Sequence, residues 1–183
     1  SDYNTFVGFK SGQSQQFGQN NVALGANSLY YATSTSGQVA IGYQALQGDS
    51  GDSSGANNTA VGYQSLLINK NGSYNTALGY QTLSSNSSGS QNTGIGYFSL
   101  GSNSTSNSNT AIGYYAMAST TGGSNNTAIG VSALASNLTG TANVAMGVSA
   151  LNAVTASGNT GIGRSAGLNL TSGGFNTLLG GRA

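Results

Sequence analysis

One nine-residue phrase recurs along almost the whole chain, and its spacing constrains the fold more than any other feature. The phrase reads NTAVGYQSL at residues 58–66, NTALGYQTL at 75–83 and NTGIGYFSL at 92–100. Aligned on their glycine, the copies follow one another at 17 residues, except for a step of 20 from Gly42 to Gly62 and one of 16 from Gly147 to Gly163. A short fixed period is typical of a solenoid, so we expect residues 1–183 to form one domain of stacked coils.

Each copy contains a short segment that reads as a β-strand. The residue before the glycine is always apolar, and the residue two positions earlier is always Thr or Val, which favour strands. Because residues two apart share one face of a strand, we expect both columns to face inward and the apolar one to be core. The predicted core column is Val7, Leu24, Ile41, Val61, Leu78, Ile95, Ile112, Ile129, Met146, Ile162 and Leu179.

The second half of each phrase and the linker after it complete the coil. A Leu or Met four residues after the glycine predicts a second core column, beginning at Leu29. The repeat glycine predicts a bend, with Gly62, Gly79, Gly96, Gly113 and Gly130 as turn glycines. A further glycine three residues before the leading Asn predicts a turn with positive φ (Gly18, Gly55, Gly72, Gly89, Gly123, Gly140 and Gly173). The predicted fold is an all-β, parallel β-solenoid of about eleven 17-residue coils.

Each phrase begins with Asn, and Gln38 replaces it once. Stacked asparagines form amide ladders along a fibre axis, whereas a single asparagine caps the backbone of its own loop. The pattern is compatible with either arrangement, and both are structural.

The composition argues against catalysis and against several classes of partner. The chain has no Cys or His, and its only acids are Asp2, Asp49 and Asp52, so we expect no catalytic constellation, no enzyme activity and no cofactor. A net charge of +1 does not suit a nucleic-acid partner, and no apolar run is long enough for membrane insertion. The chain starts at Ser1 rather than Met, which we interpret as a processed or excised chain.

Three patterns are candidate sites. Asp49 and Asp52, in a Gly/Ser-rich loop, are a weak Ca²⁺ candidate, with a solvated loop as the alternative. Tyrosine follows the repeat glycine in five successive coils, where it would form an outward stripe that binds glycans or another chain, or simply pack from coil to coil. Glycosylation sequons occur at Asn57, Asn71, Asn86, Asn103, Asn125, Asn137 and Asn169, and we expect most of them in exposed loops.

The phrase NTAIG (126–130), followed by VSAL, resembles the head repeats of trimeric autotransporter adhesins, whose motif has the form S-V-A-I-G. The longer phrase is similar to repeats of phage tail-fibre-like and bacterial surface proteins. The resemblance covers nearly the whole chain. It implies a parallel β-roll, core positions at Ile112 and Ile129, close approach to a neighbouring layer at Ala111 and Ala128, and three chains around an axis. The adhesin repeat is shorter than 17 residues, and this chain carries no stalk or coiled coil.

The terminal copies lack an evident cap, which a solenoid needs to cover its open ends. We therefore expect assembly ends at Phe6, Phe9, Leu178 and Leu179, joining copies head to tail, or else a fragment of a longer fibre. The predicted function is a structural subunit of an extracellular, cell-surface or virion fibre that carries sugars. The alternatives are a homotrimeric tail-fibre or adhesin shaft that binds a receptor or glycan, an ice-binding solenoid and a functional amyloid.

Overall fold

The computed structural model describes residues 3–49 and 55–183, and every regular element in them is a three-residue β-strand. The strands are β1 (Thr5–Val7), β2 (Val22–Leu24), β3 (Val39–Ile41), β4 (Thr59–Val61), β5 (Thr76–Leu78), β6 (Thr93–Ile95), β7 (Thr110–Ile112), β8 (Thr127–Ile129), β9 (Val144–Met146), β10 (Thr160–Ile162) and β11 (Thr177–Leu179). Over these residues the structure has no helix that could cross a membrane.

The eleven strands form one parallel sheet in sequence order, and each pairs in register with the next. Thr76 lies opposite Thr93 and Leu78 opposite Ile95, and the same register holds for every other pair. The chain therefore winds as a β-solenoid of about ten turns, which confirms the predicted fold class. The coil that holds the 20-residue step keeps the register, because Val39 still lies opposite Thr59.

The prediction of which strand side chains face the core is wrong. The central residue of each strand, Ala or Gly in nine of the eleven, faces the interior, and the two flanking columns face outward together. Among the predicted core residues, Val7, Leu24, Leu78, Met146, Ile162 and Leu179 are exposed, and Ile41, Val61, Ile95, Ile112 and Ile129 are only half-buried. Ala77, between the outward Thr76 and Leu78, has no exposed surface. The period-2 alternation was predicted correctly, but the core face is the opposite one.

The width of the interior explains this inversion. The second core column is as predicted: Leu29, Leu46, Leu66, Leu83, Leu100, Met117, Leu134 and Leu151 are all buried. These side chains reach the strand directly, because a Cβ added to Gly161 would lie 2.6 Å from Leu151 Cγ. A second row of branched side chains has no room opposite them, so only Ala or Gly fits at the strand centre.

Sharp corners bring the buried leucines to the strand. Leu66, Leu83 and Leu100 all adopt a left-handed backbone, with φ between 50° and 52°. Such a conformation is unfavourable for a residue with a Cβ. We attribute its recurrence to the apolar burial that each leucine gains, about 1.5–3 kcal/mol for a fully buried side chain.

Glycine is required at two points of the coil for different reasons. Gly62, Gly79, Gly96, Gly113 and Gly130 have φ between 128° and 142°, which confirms them as turn glycines. The glycines before the leading Asn do not have positive φ, so that prediction is wrong. They are needed because coils touch there: a Cβ on Gly72 would lie 2.3 Å from Gly89 O in the next coil.

Candidate functional surfaces

The outward columns of the strands form one continuous face of the sheet, which we call the strand face. It consists of the Thr/Val column and the aliphatic column on either side of the central small residues. Parallel strands repeat at about 4.8 Å, so each column is a regular row along the rod. One of the two columns of the strand face is aliphatic, and its side chains are exposed or half-buried along the described chain. A continuous apolar row of this kind suits association with another surface.

The five tyrosines after the repeat glycine form a second surface, the tyrosine column (Tyr43, Tyr63, Tyr80, Tyr97 and Tyr114). Their ring centroids lie 5.0–5.4 Å apart, with interplanar angles of 3–19°. The column points outward, and the rings also pack from coil to coil. Because each ring covers the next, the column presents ring edges and hydroxyls to solvent. Sugars bind to ring faces, so the middle of the column is poorly suited to them.

A row of amides, the glutamine ladder, accompanies the tyrosine column. Gln81 Nε2 donates to Gln64 Oε1 at 2.8 Å, and Gln64 Nε2 donates to Gln44 Oε1 at 2.7 Å. At the far end of the column, desolvation raises the pKa of the Tyr115 hydroxyl, and the neighbouring Tyr97 and Tyr114 raise it further.

The leading asparagines form both arrangements that the sequence left open. Asn92 shows the pattern: its backbone N–H donates to Asn75 Oδ1 at 3.0 Å, and its own Oδ1 accepts the Asn109 N–H at 3.0 Å. Asn92 Nδ2 donates to the loop carbonyl of Ser106 at 2.8 Å. Links from backbone N–H to side-chain oxygen run without a break from Asn4 to Asn176. This asparagine ladder is structural, and it is buried from Asn21 to Asn159.

A second buried ladder contradicts part of the glycosylation prediction. Asn86 Nδ2 donates to Asn69 Oδ1 at 2.9 Å, and Asn103 Nδ2 donates to Asn86 Oδ1 at 2.7 Å. Asn86, Asn103 and Asn137 have no exposed surface, so their amides cannot receive a sugar in the folded chain. These asparagines lie in Ser/Thr-rich segments that are typical of exposed loops, but in the structure their side chains point into the interior. The sequons at Asn57, Asn71, Asn125 and Asn169 are exposed.

The Ca²⁺ candidate is only partly within the described residues. Asp52 lies outside them. Asp49 Oδ2 forms an ion pair with Lys70 Nζ at 2.9 Å, and both side chains are partly exposed. Within residues 3–49 and 55–183, no three metal-ligating side chains come together.

The predicted assembly ends divide into two kinds of residue. Phe6 and Leu178 point inward and pack against the core, so they are not free to form a joint. Phe9 and Leu179 are exposed. A cavity of about 480 Å³ lies beside Leu178 and is lined by Leu168, Leu170 and Arg182 among others. Arg182 is the single ionisable side chain among its lining residues.

Sequence reasoning missed the strand face and the glutamine ladder. One signal was available for the strand face, since the strand centre is Ala or Gly in nine of the eleven copies, and such strict smallness indicates a crowded interior. The glutamine ladder was visible as Gln44, Gln64 and Gln81 at one offset from the glycine. Comparison of the chain with models of protein families, with curated proteins and with solved structures finds no match.

Proposed function

We propose that the chain is a structural subunit of an extracellular fibre and that its role is mechanical. The observation that supports this most directly is the continuity of the bonding. Each coil is joined to the next by the same in-register sheet and by the asparagine ladder, with nearly the same distances throughout. A rod in which every layer is bonded alike resists bending and local opening along its length.

Two modes of assembly fit this function. In the head-to-tail mode, a coil of a second copy pairs with β1 or β11, and the exposed Phe9 and Leu179 lie near those joints. In the trimeric mode, three rods bury their strand faces against one another, as in a tail-fibre or adhesin shaft. The exposed aliphatic column favours the trimeric mode, because burying it stabilises by about 25 cal/mol per Å² of apolar surface.

Electron microscopy together with native mass spectrometry tests the proposal. Unbranched filaments support head-to-tail assembly, and discrete rods of three chains support the trimeric mode. The variant Leu78→Asp places a carboxylate on the strand face and should dissociate the trimer, because a buried unpaired charge is costly. The matched control is Ile68→Asp, at a comparably exposed residue outside the strand face. A wild-type chain that stays monomeric at all concentrations would contradict the role as a fibre subunit.

Surface glycosylation belongs to the same proposal, now limited to the four exposed sequons. Peptide mapping of the protein from its natural source should find sugar at one or more of Asn57, Asn71, Asn125 and Asn169. Sugar at the buried Asn86, Asn103 or Asn137 would contradict the structure, and an intact mass equal to the sequence mass would exclude glycosylation.

Ice binding is a second candidate, and one observation favours it. Thr59, Thr76, Thr93, Thr110 and Thr127 point outward in five consecutive coils, each one strand spacing from the next. An inward Thr column would have argued against this function, and the structure removes that argument. A thermal hysteresis assay decides the question: activity that falls in Thr93→Val but not in Thr121→Val supports ice binding, and no hysteresis excludes it.

A further inference from the structure

The backbone places the residues after each repeat glycine in a single column. The N–H of Asn27 donates to Phe9 O at 2.9 Å, and the N–H of Gln44 donates to Ala26 O at 3.0 Å. The same bond joins Gln64 to Tyr43 at 2.9 Å. Phe9 and Ala26 therefore continue the tyrosine column by two coils toward the N-terminus.

Ala26 interrupts the aromatic side chains of this column. Phe9 lies one coil before it and Tyr43 one coil after it, and both rings are well exposed, at 71% and 44%. From Tyr43 to Tyr114 every coil supplies a ring, and each ring packs on its neighbour. At Ala26 a methyl group stands where a ring would be, which leaves a slot between Phe9 and Tyr43.

The slot has the thickness of one ring. Two strand spacings separate the coils of Phe9 and Tyr43, which is about 9.6 Å. The tyrosines stack at 5.0–5.4 Å, so a single inserted ring would lie at about that distance from both walls. The face of Tyr43 that points toward Phe9 is not covered by another tyrosine, unlike the faces of Tyr63, Tyr80 and Tyr97.

Polar groups follow the slot along one edge. Asn27 and Gln44 occupy the next column, together with Lys10. Gln44 is the last member of the glutamine ladder: its Oε1 accepts from Gln64, and its Nε2 is not used as a donor within the ladder. Lys10 Nζ lies 5.5 Å from the centroid of the Phe9 ring and 5.6 Å from that of Tyr30. One edge of the slot thus carries amide and ammonium donors.

We propose that this slot binds one pyranose ring of a glycan, held between Phe9 and Tyr43 over the methyl group of Ala26. The CH groups on the two faces of a pyranose pack against aromatic rings, and its hydroxyls lie around the rim, where amide and ammonium groups can bond them. A chair-shaped pyranose is thicker than a flat aromatic ring and fills the gap better. A flat hydrocarbon ring would also offer no acceptors to the donors of Lys10, Asn27 and Gln44.

The site is separate from the middle of the tyrosine column and lies outside the strand face, so it does not depend on the trimeric mode of assembly. The rings between Tyr63 and Tyr97 are stacked on both sides, whereas the slot is bounded by the exposed rings of Phe9 and Tyr43, with the Lys10 ammonium over the Phe9 ring. Because Lys10 contributes a positive charge, a uronic acid should bind more tightly than a neutral sugar, and the preference should weaken with added salt.

Titration of the ¹⁵N-labelled protein with cellohexaose and with hexagalacturonate tests the proposal. We expect binding in the millimolar range or tighter, with the largest shifts at the amides of Ala26 and Asn27 and saturation transfer from the Phe9 and Tyr43 rings to the sugar. Ala26→Tyr fills the slot with the side chain that the following coils carry, so it should fold normally and weaken binding about tenfold or more. Phe9→Ala, which removes one wall, should have a similar effect.

Val131→Tyr is the matched control. Val131 occupies the same column beyond Tyr114, so this variant adds an aromatic ring without touching the slot and should bind as the wild type does. Three outcomes would overturn the proposal: no shift at Ala26 with either sugar, equal binding by Ala26→Tyr and the wild type, or a nucleoside that binds in the slot more tightly than both sugars.

Discussion

The ring of Phe6 fills the part of the first coil that Gly12 leaves empty. A Cβ added to Gly12 would lie 2.6 Å from Phe6 Cδ2. Gly12 stands at the position where later coils carry the buried leucine, and its φ of 60° is close to the 52° of Leu29. In the first coil the large side chain is at the strand centre, whereas in later coils it is at the corner. The interior is filled in both arrangements. This exchange accounts for the inward position of Phe6.

The exchange predicts a strong coupling between the two positions. Phe6→Ala should lower the free energy of unfolding by about 2 kcal/mol, somewhat less than for a fully buried Phe, because it empties the first coil. Gly12→Leu alone should also destabilise, since its side chain would collide with the ring. The double variant rebuilds the pattern of the inner coils and should recover most of the loss. Urea unfolding of the four proteins measures the coupling, and simple additivity would contradict the exchange.

The second asparagine ladder has one defect, and repairing it should stabilise the rod. Thr120 replaces the Asn of neighbouring coils, and its buried Oγ1 has no hydrogen-bond partner. Thr120→Asn restores an amide that can donate to Asn103 Oδ1 and to the Gly123 carbonyl, as Asn86 does to Asn69 and Gly89. We expect a gain of about 1 kcal/mol in the free energy of unfolding. Thr121→Asn, at an exposed neighbour, is the control and should leave the urea midpoint unchanged.

A carboxylate in the first asparagine ladder should make stability depend on pH. In Asn92→Asp an oxygen replaces the Nδ2 that donates to Ser106 O, so the charged form is repelled in a buried site. The pKa of the introduced carboxyl is then raised above its unfolded value of about 3.9, and the protonated form is favoured by folding. The destabilisation should be small below pH 4 and grow as the pH rises through the unfolded pKa toward the folded one.

Chemical unfolding of Asn92→Asp from pH 3 to pH 8, relative to the wild type, measures this dependence. Asn125→Asp carries the same charge at an exposed position and should follow the wild type. An equal loss of stability by Asn92→Asp at every pH would mean that the effect is loss of packing and not of the donor.

Replacing a turn glycine should be far more damaging than replacing a loop glycine. At Gly96 the φ is 128° and a Cβ would lie 2.6 Å from the Gly113 carbonyl oxygen of the next coil. Gly96→Ala should therefore cost more than about 3 kcal/mol, because strain and collision add. At Gly122 the only nearby atom is Thr139 Cγ2 at 3.9 Å, so Gly122→Ala should be neutral or slightly stabilising. Thermal unfolding of both variants compares them directly, and equal Tm values would contradict the crowding.

The period and the choice of residue types are enough to predict the parallel strands, their number and the turn glycines. Each coil must present the same groups to the coil above and to the coil below. In-register parallel stacking therefore follows from the near-identity of the copies. The buried leucine column is equally visible in the sequence, because the residue four positions after the repeat glycine is Leu or Met in eight copies and is never polar. The leading asparagines can be assigned a structural role, although not the continuous ladder that they form.

The direction in which each side chain points was decided only by closure of the coil. An alternating strand has two faces, and Thr76, Ala77 and Leu78 do not say which one lies inside. The corner leucines decide it, because they extend across a narrow interior and leave room only for Ala77. The same closure places the side chain of Asn86 in the interior. It also aligns Ala26 with Phe9 and the tyrosine column, where Ala26 lacks a ring. The sequence by itself determined the repeating unit, and the width of the folded coil decided which of its groups meet solvent.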